Sequence, residues 1–266
     1  MLLAALAARA EAWTGPIFDA HLHYNDDAVE RYSIGTVREL FDKNGIGAII
    51  ANSRPNDGTR ALHAAAASWK RPAVVPFIRV YRTRADYGTW QGNPEIYQMI
   101  VAEEQRGFYR GIGEFHVYGR DADTPVVKQI VDFAVAKGLV LHAHCDEQAL
   151  EILFAHNPKA RVIWAHTGFG TPLARVDELF AKYPALWGEL SYRFDVVEEG
   201  RLTPAWKIFF ERHPRRFLVG SDTWVNQRWQ SYPEIMGGYR RWLGELAPAA
   251  ARRIAWENGA ELFGLK

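Results

Sequence analysis

The sequence predicts a single α/β domain, a (β/α)₈ TIM barrel. Three observations carry that expectation. The length of 266 residues is close to the ~250 that such a barrel takes. Short β-rich runs alternate with amphipathic helical stretches, and ionisable residues recur where those runs end.

In chain order the runs are Ile17–Leu22, Ala48–Ala51, Ala73–Val80, Gly111–Phe115, Leu139–His142, Val162–Ala165, Trp187–Leu190 and Phe217–Gly220. Helical patterns fall between them at 36–45, 124–138 and 171–184, and the chain closes with 231–246 and 247–264. Thr opens several of these patterns and Gly or Pro ends them, as helix capping requires. Such alternation is the product of βαβ units. A doubly wound open sheet would carry a glycine fingerprint after its first strand. Here the first strand runs into His21-Leu22-His23 instead, which favours the closed barrel. Neither a low-complexity linker nor a second composition regime interrupts residues 13–266, so they are expected to form one domain.

Composition narrows the partners. Hydrophobic residues make up 48% of the chain and charged residues 24%, with a formal net charge of +1. That balance gives no electrostatic reason to expect nucleic acid or an anionic membrane as partner. A small-molecule substrate is expected, and a homo-oligomer is left open. The lone Cys145 excludes an internal disulfide framework and leaves the redox compartment undecided. Residues 1–12 read either as the end of a signal peptide or as a short helix, so periplasm and cytoplasm both stay open. No other segment approaches the ~20 apolar residues of a membrane span.

In a barrel, catalytic groups gather at the C-terminal ends of the strands. His21 and His23 share a face at the end of the first run, two residues apart. Glu114 closes the fourth, His142 and His144 the fifth, His166 the sixth and Asp222 the eighth. Imidazole and carboxylate are ligands that suit zinc and related divalent ions. Each residue also has a plainer reading. An isolated His-x-His pair is weak evidence, and an Asp after a strand is most often a helix N-cap. His116 reads as a loop residue, Asp146 as the start of a helix and Cys145 as buried filler. Recurrence at five strand ends argues against coincidence.

The segments FDAHLHY, GIGEFH, LHAHCDE, IWAHTGFG, LVGSDT and ENGAELFG together resemble the amidohydrolase superfamily, in particular its amidohydrolase-related branch of metal-dependent hydrolases and decarboxylases. The resemblance runs from the first strand to the last helix. It implies that His21, His23, His142 and Asp222 hold a divalent ion, with His144 the rival to His142. It further implies that His166 is a second-metal ligand or handles protons, and that Glu114 occupies the position which bridges two metals in some branches. Zinc is the expected ion and manganese the alternative, one or two per chain. The implied reaction is hydrolysis of an ester, lactone or amide by metal-activated water. Asp222 would take the water's proton, and His166 would orient the carbonyl or protonate the leaving group. Non-oxidative decarboxylation with the same ligands is the alternative.

Arg54, Arg79 and Arg193 sit at or near strand ends, and a guanidinium fork suits carboxylate or phosphate. Pairing with Asp57 or Asp195 is their plainer reading. Tyr87, Trp90, Tyr192, Trp224 and Trp229 fall in the adjoining loops. Arg79, Arg193 and Trp224 are therefore expected to contact a small anionic, cyclic or aromatic substrate.

Overall fold

The computed structural model describes residues 11–265. The strands are β1 (Ile17–Leu22), β2 (Ile46–Ala51), β3 (Ala73–Ile78), β4 (Gly111–Val117), β5 (Val140–Cys145), β6 (Val162–Trp164) and β7 (Leu186–Glu189). A small antiparallel hairpin follows, β8 (Val197–Glu198) with β9 (Arg201–Leu202), and then the last barrel strand, β10 (Phe217–Leu218). The barrel strands pair in parallel in the order β1-β2-β3-β4-β5-β6-β7-β10. A parallel bridge between Asp19 and Val219 joins the ends, with Ala20 N donating to the Val219 carbonyl at 2.8 Å. This is a (β/α)₈ barrel.

The helices form where the caps direct. Ser33 Oγ accepts from Thr36 N at 3.1 Å to start Ile34–Lys43. Thr124 Oγ1 accepts from Val127 N at 3.2 Å to start Pro125–Lys137, which ends on left-handed Gly138. Thr171 does not cap its helix, because the chain stays extended through Pro172 and turns helical at Leu173. Asp146 does cap, accepting from Ala149 N at 2.8 Å. Phe18, Ile50, Val75, Val140, Ile163 and Leu218 fill the barrel interior, and Phe263 from the terminal helix packs beneath them. Its ring lies 6.0 Å from Phe18 and 5.8 Å from Phe77.

Several strand limits differ from those expected. β4 continues to Val117, so His116 is a strand residue and not a loop residue. β5 extends through Cys145 and carries both His142 and His144. β3 ends at Ile78, placing Arg79 just past the strand instead of within it. The signal-peptide or helix reading of residues 1–12 lies outside the described residues, apart from Glu11 and Ala12, which are in neither helix nor strand. Among the described residues, no helix is long and apolar enough to cross a membrane.

One glycine is indispensable to the site. Gly113 has φ +131°, and a Cβ there would lie 2.2 Å from the His142 carbonyl oxygen. Left-handed strain alone costs about 1–3 kcal/mol, and the clash adds to it. Gly113→Ala is therefore expected to lower stability by at least that amount in urea unfolding, whereas an unchanged midpoint would contradict the packing.

Candidate functional site

The first strand is bent to serve the site. Phe18 and Ala20 pack into the barrel interior, while Asp19 reaches Tyr232, whose hydroxyl donates to Oδ2 at 2.9 Å. A register shift between Asp19 and Leu22 then breaks the alternation. His21 lies within that shift and His23 just beyond it, their Nε2 atoms only 3.1 Å apart. Bulges of this kind commonly re-aim side chains beside active sites. Asp19 Oδ1 also accepts from Ser221 N at 2.8 Å, tying the first strand to the segment that presents Asp222. Burial raises the Asp19 carboxyl to about 6, against hydrogen bonds from Ser221, Tyr232 and His21.

Three imidazoles are pinned through Nδ1. His21 Nδ1 meets Glu189 Oε2 at 2.9 Å, His23 Nδ1 the Asn52 carbonyl at 2.7 Å and His166 Nδ1 the Ser191 carbonyl at 2.8 Å. Carbonyl and carboxylate oxygens accept, so these contacts favour a proton on Nδ1 and leave Nε2 as the nitrogen that ligates when the ring is neutral. The Nε2 atoms converge on two carboxylates. Asp222 Oδ1 lies 3.0 Å from His23 and 3.4 Å from His21. Glu114 Oε2 lies 3.3 Å and 3.5 Å from the same two atoms. His166 Nε2 is 3.7 Å from Glu114 Oε1 and 3.9 Å from Asp222 Oδ2. Lone pairs and carboxylate oxygens turned on one another need a cation among them.

The charges agree. Glu114, Asp222 and Glu189 are all buried, and Arg79, with Nη1 3.1 Å from Glu114 Oε2, pairs with the first of them. Burial opposes charge on His21, but Asp222, Glu114 and Glu189 outweigh it and draw a proton onto the ring, raising its pKa well above the imidazole range; a divalent ion would take the place of that proton. Burial likewise works against Asp222 and Glu114, yet His21 and its neighbours hold both carboxyls well below their usual range. His142 is fully buried, its ring 4.4 Å from His21, and neither ring nitrogen has a hydrogen-bond partner. Unpaired buried polar groups cost about 1–3 kcal/mol each. Burial keeps His142 neutral by pushing its pKa well down, the form in which imidazole ligates. His21, His23 and Asp222 group closely enough to share one ion, as do His21, Glu114 and His166, His21, His142 and Glu189, and, less buried, Glu114, His116 and His144. This buried cluster suggests a metal site.

Above the cluster opens a cavity of about 320 Å³ whose walls include Glu114, His144, His166 and Asp222. His144 Nδ1 lies 2.9 Å from Glu114 Oε1, so both histidines of β5 belong to the site, His142 beneath and His144 on the cavity wall. Arg79 lines the cavity, with its Nη1 atom bonded to Asn52 Oδ1 at 2.6 Å. Trp224 lines it too, its Nε1 donating to Tyr192 Oη at 2.9 Å. Arg193 does not line it. Its guanidinium donates to the Thr167 carbonyl at 2.8 Å and to Asp195 at 2.7 Å, over the Trp206 ring. Arg54 bonds Tyr87 and Asp26. Trp90 and Trp229, expected in the roof, are core residues with 0% and 2% exposure. Cys145 is buried and its thiol is pushed well up by that burial.

Glu189 and Asn52 occupy site positions absent from the sequence reading, and His116, read there as a loop residue, is a third. A signal existed for the first. Gly188-Glu189 ends β7 as Gly113-Glu114 occupies β4, a carboxylate in a buried strand each time. Carboxylates that orient a ligating histidine typically affect metal affinity by about 10–100-fold. Glu189→Gln is accordingly expected to weaken metal binding by that factor in a competition titration with a chelator, and an unchanged affinity would count against the role.

Residues 98–265 match the family model described as Amidohydrolase (Amidohydro_2). Curated proteins gave no match. Solved structures did. An amidohydrolase from Burkholderia multivorans with bound zinc superposes with a TM-score of 0.61 at 17% identity, covering 95% of this chain and 100% of that one. A "probable 2-pyrone-4,6-dicarboxylic acid hydrolase" from Acinetobacter baumannii with citric acid bound gives 0.61 at 14% identity, covering 94% and 99%. A TatD-family hydrolase from Entamoeba histolytica gives 0.63 at 9%, covering 95% and 99%. At these identities the likeness shows the fold; the family match spans more than half of the chain, and with it the chain belongs to the amidohydrolase family as a metal-dependent hydrolase.

Proposed function

We propose that the protein hydrolyses a lactone or ester bond of a small, anionic, cyclic substrate, with zinc held by the buried cluster and manganese as the alternative ion. The observation that carries this reading is the convergence of the His21, His23 and His166 Nε2 atoms on Glu114 and Asp222. His142, with both nitrogens free of partners, would complete the ligand set. When bound, the ion supplies Lewis acidity and brings the pKa of water to ~7. The rest of the work falls to the chain. Asp222, kept ionised by its imidazole neighbours, accepts the attacking water's proton. His166, its Nδ1 fixed on Ser191, presents Nε2 to the carbonyl or leaving oxygen. Glu189 holds the His21 ring in place.

The cavity supports the substrate class. About 320 Å³ is near the lower end for small-molecule sites. Tyr87, Phe169, Tyr192 and Trp224 give it aromatic walls, suited to a flat ring. One structural relative is described as a hydrolase of 2-pyrone-4,6-dicarboxylic acid, a lactone with two carboxylates. Turnover of that lactone and of simpler lactones and aryl esters, followed by loss of substrate absorbance, tests the reading. Ring opening that requires the divalent ion would support it; release of carbon dioxide with an intact ring would replace it.

One observation favours that second reading, decarboxylation at a single-ion site. Glu114 Oε2 is 3.1 Å from Arg79, and a carboxylate paired with arginine is less available to bridge two ions. Metal stoichiometry in the native protein separates the cases: two tightly held ions fit the bridge, and one fits the single-ion site.

A further inference from the structure

The cavity wall beyond His144 holds two side chains, Tyr87 and His116, that can each present a hydrogen-bond donor to a ligand. Tyr87 Oη accepts from Arg54 Nη1 at 3.0 Å and from Arg79 Nη2 at 3.3 Å. Guanidinium groups only donate, so both lone-pair positions are filled and the hydroxyl proton must go elsewhere. No acceptor among the described residues receives it, and the half-buried Tyr87 side chain lines the cavity. His116 reaches the same condition by another route. Tyr81 Oη accepts from the His116 backbone N–H at 2.6 Å, and lies 2.9 Å from His116 Nδ1. With Tyr81 Oη–H donating to Nδ1, the neutral ring carries its proton on Nε2, 4.0 Å from Glu114 Oε1 and outside hydrogen-bond reach of it. His116 lines the cavity as well, and its ring centre is 5.3 Å from that of Tyr87.

We infer that Tyr87 Oη–H and His116 Nε2–H form a two-donor subsite that grips a carboxylate of the substrate. Arg54 and Arg79 act on the ligand through Tyr87. Two cationic donors on one phenol oxygen polarise its O–H bond, and they place positive charge behind the subsite. This inference rests on reading the cavity as the substrate site, and it names the residues that select the anion.

The test uses the metal-loaded protein and an inert probe, isophthalate, a flat ring with two carboxylates, measured by calorimetry beside its neutral analogue isophthalamide. Tyr87→Phe and His116→Leu are each expected to weaken isophthalate binding about ten- to hundredfold, the loss that follows removal of a hydrogen bond to a charged group. Isophthalamide binding should change far less. His116→Gln, which retains an N–H, should recover part of the loss. A wild-type protein that fails to bind isophthalate would overturn the inference. So would variants that bind it as tightly as wild type, or variants in which both probes weaken equally, since that pattern means collapse of the wall. If isophthalate binding depends on Tyr87 while no lactone or ester is hydrolysed, the subsite stands and the hydrolase reading falls. If lactone turnover is strong and unaffected by Tyr87→Phe, the reverse holds.

Discussion

Asp222→Asn is expected to reduce kcat by about 10²–10⁴-fold, the range associated with loss of a positioned general base. Asn preserves the size of the side chain and tolerates the left-handed backbone at this residue, where φ is +48°. Folding should therefore survive, and circular dichroism with a melting curve would verify it. The carboxylate is what disappears. In the native protein it lies 3.0 Å from His23 Nε2 and is held ionised by its imidazole neighbours against the cost of burial. Wild-type turnover by a correctly folded Asp222→Asn protein would remove Asp222 from the reaction.

His21→Ala carries the other large effect. This ring touches Glu189 through Nδ1 and faces Glu114 and Asp222 through Nε2, and it belongs to three of the four candidate ligand groups. Without it the carboxylates lose the imidazole between them, and the coordination sphere loses a nitrogen. The variant should retain little metal after dialysis. Transition-state stabilisation of several kcal/mol by a bound ion corresponds to about a thousandfold or more in rate, and that is the expected fall in activity. Full metal content in His21→Ala, measured by elemental analysis, would place the ion elsewhere.

Much of the barrel was legible because its signals are local. Runs of buried residues such as Ile46–Ala51 and caps such as Ser33 and Thr124 lie within a few residues of what they control. The ends of the strands were less legible, since pairing decides them. β4 and β5 keep pairing as far as Val117 and Cys145, and that carries His116 and His144 onto the strands and into the cavity wall. The inward histidines and carboxylates stood out as polar residues in apolar runs, whereas Glu189 in β7 was overlooked despite the same signature. Arginine roles were the least legible. Arg193 is consumed by Thr167, Thr171 and Asp195, and Arg79 by Asn52, Glu114 and Tyr87. The Arg193–Asp195 pair was legible because its partners are two residues apart; the Thr167 and Thr171 carbonyls, Asn52 and Glu114 are too distant along the chain for the sequence to announce.

The central claim is that the convergent imidazoles and carboxylates hold a divalent ion on which the reaction depends. The most direct test is to strip the protein with a chelator, restore zinc or manganese in steps, and record bound metal and turnover on the same samples. Activity should be lost on stripping and return in proportion to bound ion, reaching its maximum at one or two equivalents per chain. Full turnover in protein that holds far less than one equivalent of metal would contradict the account.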